Sequence, residues 1–168
     1  MLFRSCGALR FHLNDQSAGL NDMRGLIDRW WPEIERGAEA IVMTASGCGS
    51  TVKEFGYLLA GDPAYAEKAA RISAMMRDIS EVVASELAKP GASETLDLAS
   101  IHIEKDERVA FHPPCSLQHG QKIRGVIEGV LRNAGVVLQP VADAHLCCGS
   151  PGTYSILQPD LEIGRAHV

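Results

Sequence analysis

The feature that most constrains this chain is the pair of adjacent cysteines Cys147-Cys148, followed by Gly149. A third cysteine, Cys115, is separated from Cys147 by 31 residues. It follows the short apolar stretch that ends in His112-Pro113-Pro114. Adjacent cysteines form a strained disulfide with each other, whereas two neighbouring thiolates can bind one polynuclear metal centre. Soft thiolates select iron–sulfur clusters, zinc or copper(I). The alternative is that a free cysteine is only a small buried hydrophobe.

The composition excludes several classes of protein. With a net charge of −5 and no basic patch, the chain does not resemble a nucleic-acid binder. It has no apolar run of about 18 residues that could span a membrane, and no signal peptide is recognisable. Its 5 unevenly spaced cysteines do not resemble a secreted disulfide framework. We therefore expect a soluble cytoplasmic protein with 46% apolar residues to build a core.

The pattern of apolar residues predicts an α/β layered fold with a largely parallel sheet. Short apolar runs bounded by turns predict strands near 40–44, 109–112 and 136–139. Apolar stripes at three- and four-residue steps predict helices over 63–88 and 119–133. The cysteine turns follow strands, which is where open α/β sheets place their ligands.

A short internal repeat indicates two related units. Cys6-Gly7 is followed by a short helical stretch, and so is Cys148-Gly149. We place the first unit at residues 1–100 and the second at 101–168. Residues 1–100 then contain only the later half of the repeated unit, which ends in Cys48 and a connecting segment. Residues 101–168 contain only its earlier half.

Several stretches of this sequence resemble the cysteine-rich CCG domain of the glycolate oxidase (glycolate dehydrogenase) iron–sulfur subunit. The spacing Cys-X31-Cys-Cys-Gly is specific to the domain, which also occurs in heterodisulfide reductase and lactate-utilisation proteins. Four sequence motifs indicate the subfamily: Cys6-Gly-Ala-Leu-Arg-Phe-His-Leu-Asn14, Thr44-Ala-Ser-Gly-Cys-Gly49, His112-Pro-Pro-Cys115 and Asp143-Ala-His-Leu-Cys-Cys-Gly149.

The resemblance implies an electron-transfer role. It implies a [4Fe–4S] cofactor, with FAD only on flavin-bearing partner subunits that oxidise glycolate to glyoxylate. The expected location is the cytoplasm, with peripheral association at the inner face of the cell membrane left open. No catalytic residue is predicted, and this piece of the subunit is not expected to be active alone. The implied ligands for metal and cofactor are Cys115, Cys147, Cys148, Cys6 and Cys48.

The resemblance also implies that neither unit carries a full ligand set. In the family each CCG unit supplies a lone cysteine, the Cys-Cys pair and a later cysteine. Ser5 stands where the first cysteine of a pair belongs in the first unit, and no cysteine follows Cys148. Both termini read like translated sequencing-adapter bases, which predicts that Ser5 replaces a natural cysteine. We also expect Cys6 and Cys48 to form a separate thiol pair, and the two half-units to pack in a pseudo-twofold arrangement.

Three histidines, His112, His119 and His145, lie beside the cysteines and are candidates to ligate the metal or to tune it through a hydrogen bond. The competing interpretation is that each only hydrogen-bonds a turn, whose backbone groups need partners. Two other functions stay open at this stage: a thiol–disulfide redox enzyme of the heterodisulfide reductase type, with a nucleophilic cysteine, and a zinc-stabilised structural module.

Overall fold

The computed structural model of the protein describes residues 5–92, 108–146, 152–158 and 160. Within these ranges, short helices and short strands follow one another along the chain. In chain order they are α1 (Ala8–His12), α2 (Gln16–Glu35), β1 (Ile41–Met43), α3 (Ser46–Lys53), α4 (Phe55–Leu58), α5 (Ala66–Met75), β2 (Met76–Asp78), α6 (Ile79–Leu87), β3 (Arg108–Ala110), a π-helical turn (Ser116–Gly120, the π-turn), α7 (Val126–Asn133), β4 (Val137–Gln139) and α8 (Thr153–Leu157).

Two pairs of parallel strands lie in the described part of the chain. β1 pairs with β2, so that Met43 is the register partner of Asp78. β3 pairs with β4, with Arg108 opposite Val137. Helices connect the two strands of each pair, as a parallel connection requires. The α/β class and the short parallel sheets are thus confirmed, and the predicted strands are displaced by one or two residues at most.

The hydrophobic core gathers around α2 and the segments that pack on it. The largest side chains with less than 2% exposure come from α2, α3, α4 and its C-cap, α5 and β2: Met23, Ile27, Val52, Phe55, Leu59, Ile72 and Met76. Burying such side chains is the main stabilising contribution to a fold of this kind. Cys6 belongs to the same cluster, so the first candidate ligand sits within this hydrophobic core.

The helix predicted over 63–88 is wrong, because a strand divides it. α5 ends at Met75, β2 follows over Met76–Asp78, and α6 begins at Ile79. Asp78 closes the strand and starts the next helix through a capping box: its Oδ1 accepts the N–H of Ser80 at 2.9 Å, and Glu81 Oε2 accepts the N–H of Asp78 at 2.9 Å. The reciprocal bonds satisfy backbone donors that a new helix leaves unpaired.

The helix predicted over 119–133 is also shorter than expected. α7 begins only at Val126, because the backbone before it is left-handed at Lys122, with φ +61°, and at Gly125, with φ +74°. Those conformations cannot belong to a right-handed helix. Ile123 is nevertheless buried, at 7% exposure, whereas the apolar residues of α7 are only half-buried. The predicted stripe is therefore neither one helix nor core throughout.

The expected division of the chain at residues 100 and 101 lies outside the described residues. In the described ranges, the two parts on either side of it contact each other through α3 with the π-turn and through α6 with α7. None of the helices in these ranges combines the length and the apolar content needed to cross a membrane.

Replacing Asp78 with alanine should lower the free energy of unfolding by about 1–2 kcal/mol, because it removes the helix cap. Urea denaturation followed by circular dichroism measures the change. The matched control is Glu81→Gln, which keeps an acceptor oxygen for the N–H of Asp78 and loses mainly the ion pair with Lys53, whose atoms are 3.2 Å apart. That pair is worth about 0–1 kcal/mol. An Asp78→Ala variant as stable as the control would contradict the capping box.

Candidate functional site

The structure places the described candidate ligands in two neighbouring sites. Cys6 and Cys48 lie together, Cys115 lies in a turn of the second part, and all three thiols are free of disulfides. Cys147 and Cys148 lie outside the described residues, so their predicted convergence with Cys115 stays a prediction.

Cys6 is fixed by the close approach of α1 to α2. Gly7, the next residue, has a left-handed φ of +84° and caps α1. A Cβ atom on Gly7 would lie 2.5 Å from the carbonyl oxygen of Gly19 and 2.9 Å from Met23 Cγ, so only glycine fits there. The N–H of Gly7 also donates to Ser5 Oγ at 3.2 Å. Cys6 is thereby held with 9% of its surface exposed.

Cys48 meets Cys6 from the first turn of α3. It is half-buried and packs against the core cluster that contains Cys6. Burial first, then a hydrogen bond with Cys6 and the Coulombic interaction with Cys6, together raise the pKa of the Cys48 thiol from 9.0 to about 11. The thiols therefore form the expected contacting pair.

The raised pKa determines what this pair can do. The thiolate is the nucleophile and the metal ligand, and a thiol with a pKa of about 11 is protonated at neutral pH. Cys48 in this state is not an activated nucleophile. A metal that binds here must displace its proton.

Alkylation of Cys48 should follow an apparent pKa near 11 in the folded chain and near 9.0 in urea. At pH 8, two pKa units correspond to about 100-fold less thiolate in the folded state. The measurement is the rate of labelling by iodoacetamide between pH 7 and about 11.5, with the Cys48 peptide quantified by mass spectrometry. The unfolded chain is the control. A native profile with its midpoint at pH 9.0 would contradict the assignment.

The same shift predicts how pH acts on stability. Because the pKa is raised in the folded state, the protonated thiol favours folding below pH 9.0, and this contribution is lost as the pH rises towards about 11.

Cys115 lies at the turn that connects β3 to the π-turn. It is half-buried and directly precedes Ser116. The N–H groups of Leu117 and Gln118 both donate to the carbonyl oxygen of Pro114 at 3.0 Å, which closes the backbone around the cysteine. The two prolines before Cys115 cannot continue a strand ladder or a helix, and this explains why β3 ends before them.

Two side chains of the π-turn hold the loop that leads to Cys147. Gln118, 5% exposed, donates from Nε2 to the carbonyl oxygens of Pro113 at 3.0 Å and Ala144 at 2.9 Å. His119 Nε2 donates to the carbonyl oxygen of His145 at 2.9 Å. The backbone three residues before Cys147 is therefore bonded to the turn that carries Cys115.

The contacts of His119 also assign its role. A carbonyl oxygen can only accept, so Nε2 carries the proton, and Nδ1 accepts from Arg124 Nη2 at 3.4 Å. Because both ring nitrogens are hydrogen-bonded, His119 stabilises the π-turn and its contact with the loop at His145. His112 is half-buried after β3 and His145 is exposed in the loop; their tuning of a metal stays a prediction.

A hydrogen-bonded junction joins the Cys48 helix to the Cys115 turn. Ser46 Oγ lies 2.7 Å from Ser116 Oγ, Ser50 Oγ donates to the carbonyl oxygen of Ser116 at 3.0 Å, and Gln121 Nε2 donates to the carbonyl oxygen of Ser46 at 2.9 Å. Gly120 permits this approach, because a Cβ there would lie 2.8 Å from Ser50 Oγ. The two candidate sites are therefore neighbours in space.

Sequence reasoning missed the residues that build these contacts: Ser46, Ser50, Ser116, Gln118, Gln121 and Arg124. They bond mainly to backbone carbonyl oxygens, and such bonds leave no periodic pattern. The one usable sign was glycine at positions 49 and 120. A side chain at Gly49 would overlap Met76 Cε and approach Gln121 Nε2 to 2.8 Å, so both glycines mark a close approach of segments.

The described donors fit an iron–sulfur cluster in kind but not in number. A [4Fe–4S] cluster is held by four cysteine thiolates. The structure offers two at one site and one at the other, and within the residues it describes no group of 3 or more cysteines, histidines or acidic residues is arranged to hold a metal ion. The remaining predicted ligands, Cys147 and Cys148, belong to the part of the chain that is not described.

Comparisons with known proteins found one matching family model and several similar proteins. A cysteine-rich domain (CCG) matches residues 109–167. The glycolate oxidase iron-sulfur subunit of Escherichia coli is 48% identical over 156 residues, which are 93% of this chain and 36% of that protein. The probable glycolate oxidase iron-sulfur subunit of Bacillus subtilis is 26% identical over 94% of this chain and 33% of its own length.

More distant similarity extends to lactate utilization protein A of Geobacillus kaustophilus, at 28% identity over 71% of this chain and 46% of that protein. No solved structure matches the chain. The chain thus spans between a third and a half of the length of these relatives. Residues 109–167 belong to the cysteine-rich domain family (CCG), and the chain over nearly its whole length is similar to part of a glycolate oxidase iron–sulfur subunit.

Proposed function

We propose that this chain is part of an iron–sulfur subunit that transfers electrons in a glycolate-oxidising complex. The single observation that carries the proposal is the pair of bonds from Gln118 and His119 to the loop at Ala144 and His145. These bonds draw the loop that enters Cys147-Cys148 towards the turn of Cys115. A shared cluster needs its thiols close together, and these bonds hold the described end of the loop, at Ala144 and His145, beside that turn.

The proposed ligands fall into two groups. Cys115, Cys147 and Cys148 belong to one [4Fe–4S] centre, and Cys6 and Cys48 contribute to another. A bound cluster would accept and release single electrons. The residues of the chain itself provide the thiols, hold the two turns together and, through the serine junction at Ser46 and Ser116, keep the two groups adjacent.

The proposed partners are flavin-bearing subunits that oxidise glycolate to glyoxylate, with FAD bound on them and not on this chain. Electrons would leave the flavin, pass through the iron–sulfur subunit and reach an acceptor. The similarity to a glycolate oxidase iron–sulfur subunit supports this assignment. We place the complex in the cytoplasm. We further propose that it associates peripherally with the inner face of the cell membrane.

In the described part of the chain, Cys48 does not suit a thiol–disulfide enzyme. Such an enzyme needs a cysteine with a lowered pKa, and the pKa of Cys48 is raised to about 11.

Anaerobic reconstitution of the full chain with iron and sulfide tests the proposal. We expect visible absorption that bleaches on reduction, with less than one [4Fe–4S] cluster per chain because the ligand sets are partial. Cys115→Ser should remove the absorption that comes from the proposed centre of Cys115, Cys147 and Cys148. Ser17→Ala, on the surface of α2, serves as the control.

Two results would count against this assignment. The first is tight binding of zinc with no visible chromophore. The second is iron uptake that does not change in the Cys115→Ser variant. A stable, stoichiometric cluster on this chain alone would instead show that the ligand sets are more complete than proposed.

A further inference from the structure

A cavity of about 240 Å³ opens beside the loop that leads to Cys147. It lies at the carboxyl end of the β3–β4 pair, where Ala110 and Gln139 are register partners and the last residues of their strands. Open α/β sheets bind their ligands at this end of their strands. None of the described cysteines lines the cavity, so its described walls are separate from the proposed iron–sulfur ligands.

The walls of the cavity are mostly apolar. The described lining includes six apolar residues, which come from the ends of the strands and from the loop: Phe111, Pro113, Leu138, Pro140, Val141 and Ala144. Pockets for drug-sized ligands measure roughly 300–1,000 Å³, and this cavity is smaller. Its occupant is therefore a small molecule with an apolar part.

Two opposite charges on α7 line the same cavity. Glu128 and Arg132 stand four residues apart on the helix, a spacing at which a carboxylate and a guanidinium commonly pair. They form no ion pair with each other, and in the described ranges neither has another charged partner. Their order suits the helix dipole, with the acid in the first turn and the base in the last. The dipole does not explain why both border a cavity, and both charges remain available to a ligand.

We propose that this cavity binds a free α-amino acid with an apolar side chain. Arg132 binds the carboxylate, Glu128 binds the ammonium group, and the apolar walls cover the side chain. An amino acid combines these three features in a small molecule. A simple organic acid or amine of the same size leaves one charge of α7 without a partner, and a charge that loses water without gaining a partner is costly.

Binding should also stabilise the loop before Cys147. Pro113 and Ala144 both line the cavity, and Gln118 donates to the carbonyl oxygens of both. An amino acid that contacts both residues favours the arrangement in which the loop lies against the π-turn, because a ligand shifts the population towards the state that it binds. The binding itself requires no iron–sulfur cluster.

The test uses the full chain without iron and measures the binding of L-phenylalanine by isothermal titration calorimetry. Two analogues each lack one charge: hydrocinnamate has no ammonium group, and phenethylamine has no carboxylate. We expect each analogue to bind about tenfold more weakly, since each loses a hydrogen bond to a charged group. L-serine, which lacks the apolar side chain, should also bind more weakly than L-phenylalanine.

Two variants assign the charged contacts. Arg132→Met removes the guanidinium but keeps an unbranched side chain, and it should bind phenylalanine and phenethylamine equally. Glu128→Gln should bind phenylalanine and hydrocinnamate equally. Arg108→Gln is the control and should bind as the parent chain does, because Arg108 is exposed at the start of β3, away from the carboxyl end. Hydrogen exchange of residues 141–146 in the parent chain should become slower when phenylalanine is bound.

Four results would overturn the proposal: no binding of millimolar L-phenylalanine to the folded chain, equal affinity of the parent chain for phenylalanine and both analogues, full affinity in both variants, or unchanged hydrogen exchange of residues 141–146 on binding. Circular dichroism checks the folding of each variant. The analogues test the charges on the parent chain even where a variant unfolds. Amino acid binding and cluster assembly are separate measurements and can fail independently.

Discussion

Replacing Gly7 with alanine should lower the free energy of unfolding by about 2–5 kcal/mol, the sum of a left-handed backbone penalty and an overpacked core. The backbone of Gly7 has φ +84°, and a Cβ atom there would lie 2.5 Å from the carbonyl oxygen of Gly19. Neither α1 nor α2 can move away without opening the core around Met23. Urea denaturation measures the change, and cysteine alkylation should become faster because Cys6 is released from its packed position.

Gly37→Ala is the matched control for this prediction. Gly37 also has a left-handed backbone, with φ +101°, but nothing lies within 4 Å of a Cβ built on it. This substitution should therefore cost only the conformational penalty of about 1–2 kcal/mol. The difference between the two variants isolates the overlap of α1 with α2. Equal losses of stability would mean that α1 does not pack as closely on α2 as the structure shows.

The strands were the most predictable part of the fold. The runs that predicted β1, β3 and β4 are short and apolar, and Ile41, Val42, Val109 and Val137 supply β-branched residues in them. The strands predicted near 40–44, 109–112 and 136–139 are observed at Ile41–Met43, Arg108–Ala110 and Val137–Gln139. The strands are only half-buried or exposed, at Val42 and Val137 for example, so the apolar runs located them without indicating full burial.

The helices were harder to predict, because an apolar stripe reports burial and not continuity. Ile72 and Met76 are both fully buried, yet one is helical and the other is in β2. The break depends on Asp78 and Glu81, which form the capping box. Their spacing, an acidic cap followed three residues later by glutamate, was present in the sequence. The apolar periodicity nevertheless continues past the break into α6, where Ile79 and Val83 are exposed, so the stripe marked neither one helix nor one buried face.

The sequence singled out the cysteines of the candidate site, whose role as ligands stays a prediction, but not the contacts that position them. Cys6 and Cys48 are distant in sequence, and their pairing was expected from the packing of the two half-units. The junction at Ser46 and Ser116 depends on two turns reaching each other in space. A serine in a turn is usually explained by its own local backbone, so its sequence position alone cannot identify a partner 70 residues away.

Replacing Gln118 with leucine should lower the free energy of unfolding by about 1–3 kcal/mol, because it leaves two partly buried carbonyl oxygens without their donor. Those oxygens belong to Pro113 and Ala144, so the loop before Cys147 should loosen as well. Hydrogen exchange of residues 141–146 measures the loosening, and iron bound per chain after reconstitution should fall in parallel.

His119→Ala is the control for the Gln118 variant, because it acts on the neighbouring carbonyl of the same loop. His119 is exposed and donates only to the carbonyl oxygen of His145, at 2.9 Å. An exposed bond of this kind contributes about 0.5–1 kcal/mol, so the loss of stability should be smaller. If Gln118→Leu left both the exchange of the loop and the bound iron unchanged, the loop would not depend on this side chain. The π-turn would then not be what holds the loop before Cys147 close to Cys115.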